Sequence, residues 1–309
     1  MKKLSFIIRF GLSILILFLL FRKVGFYDVI SNIMSVSVLF IILILIMFII
    51  SLILGAININ LLLSPMSKKT SFYKILYYSI LSWSVGLFIP GKVGELLLIP
   101  LLKKEGITIG QGSAIFIIDK LITLMTLSIF SLIGIFIFFD VFTFFKLAAI
   151  ILLIVVIFIF FIFLKIGREI VKKYFLRKFS ENFNGFFRLI SLYFKKEKLI
   201  LSLNTILTFL KWFITSLITY FLFIAYYQHV PLVYIFLINS ILVMISLIPI
   251  SLSGLGVRES AAVFLYSKLN IEPSITLSVF VIQIIMMYFT ATVIALIGLK
   301  EVKFKITSN

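Results

Sequence analysis

The chain has no cysteine, which excludes disulfides and thiolate metal centres. Its one histidine, His229, excludes a histidine-cluster metal site. Acids are scarce, 11 Asp and Glu against 29 Lys and Arg. The phosphate-cradling pattern GxxxxGK[ST], the zinc motif HExxH and the GxSxG nucleophile elbow are all absent. No cofactor is expected, and ATP-driven or hydrolytic chemistry has no motif to carry it.

What fills the chain instead is apolar. Of 309 residues, 63% are hydrophobic, and phenylalanine alone accounts for 36. Mean hydropathy is +1.29. Soluble domains hold roughly 45–50% apolar residues. Several runs reach the length of about 20 residues that a helix needs to cross a bilayer. They do not alternate, so a β-barrel is excluded. The expected fold class is an all-α polytopic membrane protein, one integral membrane domain over 1–309, with a hydropathy count of 7–8 segments. The net charge of +18 could suit nucleic acid. Clustered lysines and arginines in cytoplasmic loops explain it better, so no nucleic-acid partner is expected. The basic, apolar start "MKKLSFIIRFGLSILILFLLFRKVGF" lacks a small-residue cleavage site and reads as a retained first span.

Full spans are predicted near 4–21, 38–63, 112–139, 146–165, 203–228 and 274–299. Two further apolar stretches, 75–104 and 231–268, are broken in the middle by Pro, Gly and charge. Basic residues decide their topology. With the N-terminus in the cytoplasm, 75–104 is a re-entrant hairpin from inside and 231–268 one from outside. This places 21 of the 29 basic residues inside, only Arg22, Lys23, Lys146 and Lys268 outside, and four within the membrane. The last four are Lys92, Lys120, Lys211 and Arg258. Both termini are then cytoplasmic. About six full spans plus two opposed hairpins result. Residues 38–139 and 203–299 read as span, hairpin, span in opposite orientation, a possible inverted repeat of the kind found in transporters.

The two breaks share a pattern. "FIPGKVGELL" (88–97) and "LIPISLSGLGVRESA" (247–261) each run from an apolar helix through proline and glycine to a base and an acid. Proline ends a helix and glycine lets the backbone turn. Pro90, Gly91 and Gly94 form the first break; Pro249, Gly254 and Gly256 form the second. A backbone opened in hydrocarbon must line a polar cavity or be buried in protein. The helix that restarts presents unpaired N–H groups and partial positive charge, which suits an anion. Lys92 and Arg258 sit at those restarts and are candidate phosphate contacts. Glu95 and Glu259 lie within the following turns, where each could cap the helix, pair with the neighbouring base, or meet a cationic part of a substrate.

Asp119 and Lys120 lie one to two turns inside the span 112–139. They form either a packing ion pair or part of the same site, facing the first hairpin. Lys211 either snorkels to the cytoplasmic surface or lines the site. His229, beside Tyr226 and Tyr227, reads as an interfacial belt. The segment 165–198 carries ten bases and three acids. It sets topology, and its aromatic spacing suits an amphipathic helix on an anionic leaflet.

The motifs "PGKVGE" (90–95), "LLKKEGI" (101–107), "IIDKL" (117–121) and "IPISLSGLGVRE" (248–259) resemble the lysylphosphatidylglycerol synthase transmembrane region, or flippase-like, family of membrane proteins. Their order and spacing suit the family over nearly the whole chain. There are departures. Leu98 stands where the family often has a second arginine, Asp119-Lys120 where it shows Glu-Arg, and Thr123 where it has Asp. Ser251-Leu252-Ser253-Gly254 stands for Ser-Pro-Gly-Gly. The resemblance implies translocation of a lipid between leaflets, with anionic or aminoacylated phospholipid or polyprenyl-phosphate-linked sugar as cargo. Full-length members join this region to a soluble synthase domain that takes lysine from charged tRNA; the longest soluble stretch here, 165–198, cannot hold one. A lysyltransferase-like component of headgroup transfer, or an accessory subunit of a separately encoded synthase or glycosyltransferase, are the alternatives. The expected location is a prokaryotic cell membrane, and the oligomeric state stays open.

Overall fold

In hydrocarbon every backbone N–H and C=O must find a partner inside the protein, so long apolar runs resolve into helices. A computed structural model describes residues 2–66, 70–164, 185–248 and 250–307, together with Gly167 and Glu169. Among them there is no strand. The helices are α1 (Lys2–Val24), α2 (Phe26–Ser35), α3 (Val38–Leu63), α4 (Phe72–Phe88), α5 (Leu98–Lys104), α6 (Ile109–Phe138) and α7 (Val141–Phe163). Then come α8 (Phe186–Lys195), α9 (Lys198–Ala225), α10 (Leu232–Ser246), α11 (Val257–Ser267) and α12 (Pro273–Thr307). Four stretches are long and apolar enough to cross a membrane: α3, α6, α9 and the Pro273–Gly298 part of α12. The protein is therefore a multi-pass helical membrane protein.

The first expected span is present as α1, but the chain turns by 88° at Gly25 into α2, an element the sequence did not announce. Gly25 takes φ 108°, which a side chain would resist. Helix starts follow local chemistry elsewhere. Thr108 and Gln111 form a reciprocal capping box at the start of α6. Asp140 accepts the Thr143 N–H at the start of α7. Of the basic segment 165–198, the described part is mainly α8. It buries Phe186, Leu189, Ile190 and Tyr193, and the Tyr193 hydroxyl donates to the Leu62 carbonyl. Pro249, Lys68 and Lys69 lie outside the described residues.

Both broken stretches are bent. The first is α4, then a 3-10 segment (Pro90–Leu97), then α5. The second is α10, a 3-10 turn (Leu252–Gly254), then α11.

The buried apolar residues divide into two main cores. One gathers Ile44 and Phe48 of α3, Ile135 and Phe138 of α6, and much of α9 to α12 beyond Ile218. The other gathers Ile59 and Leu62 of α3, Ile115 and Ile118 of α6, and α4, α5 and α8. Each long helix passes from one core to the other. Between them its buried positions turn polar: Ser51 and Asn58 on α3, Asp119, Thr126 and Ser128 on α6, Asn204, Thr208 and Ser216 on α9. The two breaks join this polar middle layer.

Candidate functional site

The first break puts Gly91 and Lys92 in left-handed backbone, at φ 67° and 56°. The turn is so tight that a Cβ on Gly94 would lie 2.6 Å from the Val85 carbonyl oxygen. Gly86, one turn before the end of α4, leaves the space that the Glu95 side chain fills; a Cβ there would sit 2.6 Å from Glu95 Cγ. The expected α-helical restart is replaced here by a 3-10 segment. A 3-10 helix packs more turns into this short, crowded stretch. Lys92 and Glu95 are both held in it, half-buried.

Glu95 reaches across to α6. Its Oε2 lies 2.6 Å from Lys120 Nζ, and Asp119 Oδ2 lies 3.5 Å from the same ammonium. Lys120 also stands over the Phe116 ring at 5.4 Å. Glu95 keeps 13% of its side chain accessible and Lys120 45%. Asp119 is buried.

The second break restarts as an α-helix. Gly256, at φ 84°, precedes the first turn of α11, and its N–H donates to Glu259 Oε2 at 2.7 Å. Arg258 Nε donates to the other carboxylate oxygen at 2.9 Å. Glu259 is 1% accessible and Arg258 19%. One acid therefore serves both as helix cap and as counter-ion. Arg258 also faces the Phe280 ring at 5.5 Å, and its Nη2 is buried without a hydrogen-bond partner. Gly254 takes φ 84°, and a Cβ there would lie 2.6 Å from Ser246 Cβ. From α1, Ser13 Oγ accepts the Leu252 N–H at 2.8 Å.

The tips of the two breaks meet. Ser253 Oγ donates to the Leu87 carbonyl at 3.0 Å. The Tyr288 hydroxyl of α12 reaches the same carbonyl at 3.5 Å, and its ring packs edge-on against Phe88. Lys92 lies in the electrostatic field of Glu95, Lys120 and Arg258. Of the predicted set, Glu95, Asp119 and Lys120 form one ion-paired group and Arg258 and Glu259 another, while Lys92 stands outside both. Pro90 opens the 3-10 segment of the first break. Ser253 joins the site from within the second break motif, while Tyr288 and Phe280 join it without any sequence signal that singles them out.

Lys211 adds a fourth base. It interacts electrostatically with Asp119, Lys120, Glu95 and Lys92. The balance is then four bases against three acids. Neither Lys92 nor Lys211 has a carboxylate within 4 Å among the described residues, and Arg258 Nη2 donates to nothing. Among the described residues no group of acids, His or Cys could hold a metal ion.

Two bent helix pairs meeting tip to tip inside an apolar bundle, with more positive than negative charge between them, describe a membrane protein built around a polar interior site. The match to the family model of the lysylphosphatidylglycerol synthase transmembrane region covers residues 6–295, and the chain belongs to that family. It is thereby related to proteins that handle lipid headgroups. Compared singly, no curated protein matches the chain.

Proposed function

We propose that this protein moves a phosphate-bearing lipid headgroup between membrane leaflets. The observation that carries the reading is the pair of unsatisfied cationic donors where the two breaks converge. Charges in a membrane interior are costly and are retained for function. Lys92 has no carboxylate within 4 Å among the described residues, and Arg258, paired through Nε with Glu259, keeps a buried Nη2 without an acceptor. A phosphate diester supplies what they lack, and Arg is suited to grip its oxygens. The first-turn N–H groups of α11 add partial positive charge on the same side as Arg258.

Glu95, Asp119 and Lys120 form the ion-paired group on the α6 side of the first break. They suit the amine or hydroxyl groups of a headgroup, such as an aminoacyl group or a sugar. The contacts of Ser253 and Tyr288 with Leu87 are where one half of the bundle would part from the other as the site changes sides. In this reading the protein resides in the cell membrane of a prokaryote, with both termini in the cytoplasm. A gradient, the lipid imbalance itself, or a separate synthase or glycosyltransferase supplies the drive.

The test is reconstitution into vesicles carrying a trace of headgroup-labelled phosphatidylglycerol, with a membrane-impermeant quencher added outside. Wild type should expose the inner-leaflet label faster than protein-free vesicles, and Lys92→Ala or Arg258→Ala should lose most of that gain. Wild-type rates equal to empty vesicles would refute translocation. Unchanged rates in both variants would refute the assignment of the anion site.

A further inference from the structure

We infer that α1 is a hinged side gate to the Arg258 site, latched on the second break by Ser13 and Ile16. This deepens the translocation reading and rests on it. From Ile8 onward most side chains of α1 face outward, Leu12, Leu15, Phe18 and Leu19 among them. Of its described side chains only Leu20, near the bend, and Ser13, in the middle, are buried. A buried hydroxyl is costly unless it is bonded, and Ser13 is bonded twice. It donates to the Arg9 carbonyl one turn back at 2.8 Å and accepts the Leu252 N–H at 2.8 Å. Leu252 is buried and opens the 3-10 turn, so its N–H has no partner within that turn. A buried N–H must find an acceptor elsewhere, and α1 supplies it.

The same face of α1 covers the far side of the tip. A Cβ on Gly256 would lie 3.0 Å from Ile16 Cβ and 3.1 Å from the Ser13 carbonyl oxygen. The Gly256 N–H caps Glu259, and Glu259 holds Arg258. At the other end of the turn, Leu252 adjoins Ser253, which touches the first break. α1 therefore fixes the backbone on both sides of the tip, and the second break cannot shift while α1 stays in place. The helix itself is free to part from it. At its end the chain bends by 88° through Gly25, a residue type that gives a hinge backbone freedom. Beyond the bend α2 is tied down. Its Asn32 carbonyl accepts from the Tyr226 hydroxyl at 3.0 Å, and its Val29 carbonyl accepts from Ser278 Oγ at 3.2 Å. Leu20 packs with Val29 and Leu277 close to the hinge. With α2 anchored, one hydrogen bond and one glycine contact make up the latch, and parting that seam uncovers Gly256 and the cap of Arg258 to lipid.

The test uses the full-length protein in vesicles with headgroup-labelled phosphatidylglycerol and an impermeant quencher. The chain has no cysteine, so Ile16→Cys and Val257→Cys place the only two thiols on either side of the seam. A short bis-methanethiosulfonate bridges the pair, and the single-cysteine variants treated alike set the baseline. Bridging should bring translocation down to the rate of protein-free vesicles, and reduction should restore it. Ser13→Ala orphans the Leu252 N–H in the latched state, which wild type does only on opening. Its rate should therefore rise about fivefold, the worth of one hydrogen bond, whereas a merely structural contact would slow transport when lost. If Ser13→Ala does not fold, the bridged pair decides alone. A bridged pair as fast as the reduced pair, or a folded Ser13→Ala no faster than wild type, would overturn the gate and leave translocation standing. Wild-type rates equal to protein-free vesicles would refute translocation and the gate with it.

Discussion

Glu259 carries the largest structural penalty of the five interior acids and bases that form ion pairs. Consider Glu259→Gln, which keeps the size and removes the charge. The carboxylate now accepts from Gly256 N–H at 2.7 Å and from Arg258 Nε at 2.9 Å. The amide has one oxygen. If it keeps the cap, its NH2 faces Arg258 Nε, donor against donor. Arg258 then stays charged with Nη2 already unpartnered. Removing one member of a buried pair costs about 3–5 kcal/mol. Arg258 is 19% accessible, which favours the low end, about 3 kcal/mol. Glu95→Gln is the contrast. Lys120 is 45% accessible and still has Asp119 at 3.5 Å, so the loss should be about 1 kcal/mol or less. On the scale of about 2–4 °C per kcal/mol for domains of 150–250 residues, Glu259→Gln should melt roughly 6–12 °C lower in detergent. Glu95→Gln should shift the midpoint only slightly. The double variant Arg258→Met/Glu259→Gln keeps the cap and removes the stranded charge. It should recover most of the stability without recovering transport. Fluorescence-detected size exclusion after heating reads all three. Equal melting of the two single variants, or a double variant no more stable than Glu259→Gln, would refute this account.

Two further outcomes follow from the same geometry. Gly94→Ala pushes a methyl carbon to 2.6 Å from the Val85 carbonyl oxygen and 2.9 Å from the Gly86 nitrogen, both backbone, so the first break cannot close; monodisperse protein should be largely lost on size exclusion. Ser253→Ala removes the 3.0 Å bond to the Leu87 carbonyl between the two tips and keeps the left-handed backbone at φ 49°, so the melting midpoint should fall by the equivalent of about 1 kcal/mol.

The helices and the breaks were legible because each rests on a local rule. Apolar length predicts a span, and Pro90-Gly91 or Gly254-Leu255-Gly256 inside such a length predicts an interruption. What could not be read is which way each side chain faces. In α6 and α9 apolar residues surround the helix, so periodicity does not mark a buried side. The buried side of α6 is marked instead by small residues, Gly112, Ser113, Ala114, Ser128, Ser131 and Gly134. That is why Lys211 can be read either as a snorkelling lysine or as part of the site. The bend into α2 and the 3-10 character of the first restart depend on close backbone contacts far from any pattern. Tyr288 and Phe280 reach the site from α12, with nothing in their own segment to mark them.

The arrangement of the two cores argues that the polar middle layer is not a device for stability. A continuous apolar interior would pack α3, α6 and α9 without orphaned acceptors, and replacing buried ion pairs by apolar residues is often neutral or stabilising. This fold instead keeps Asn58 Oδ1, Asn204 Oδ1 and Arg258 Nη2 without partners. It interrupts two helices at tips that touch through Ser253 and Leu87, and it places the charges of Lys92, Glu95, Arg258 and Glu259 there. Apolar cores lie on either side of this layer. A bundle organised in this way has two apolar ends and one chemically unsatisfied waist. The deficits at the waist include a cationic donor at Arg258 Nη2 and amide oxygens on Asn58 and Asn204. A ligand that brings phosphate oxygens to Arg258 answers the first of these.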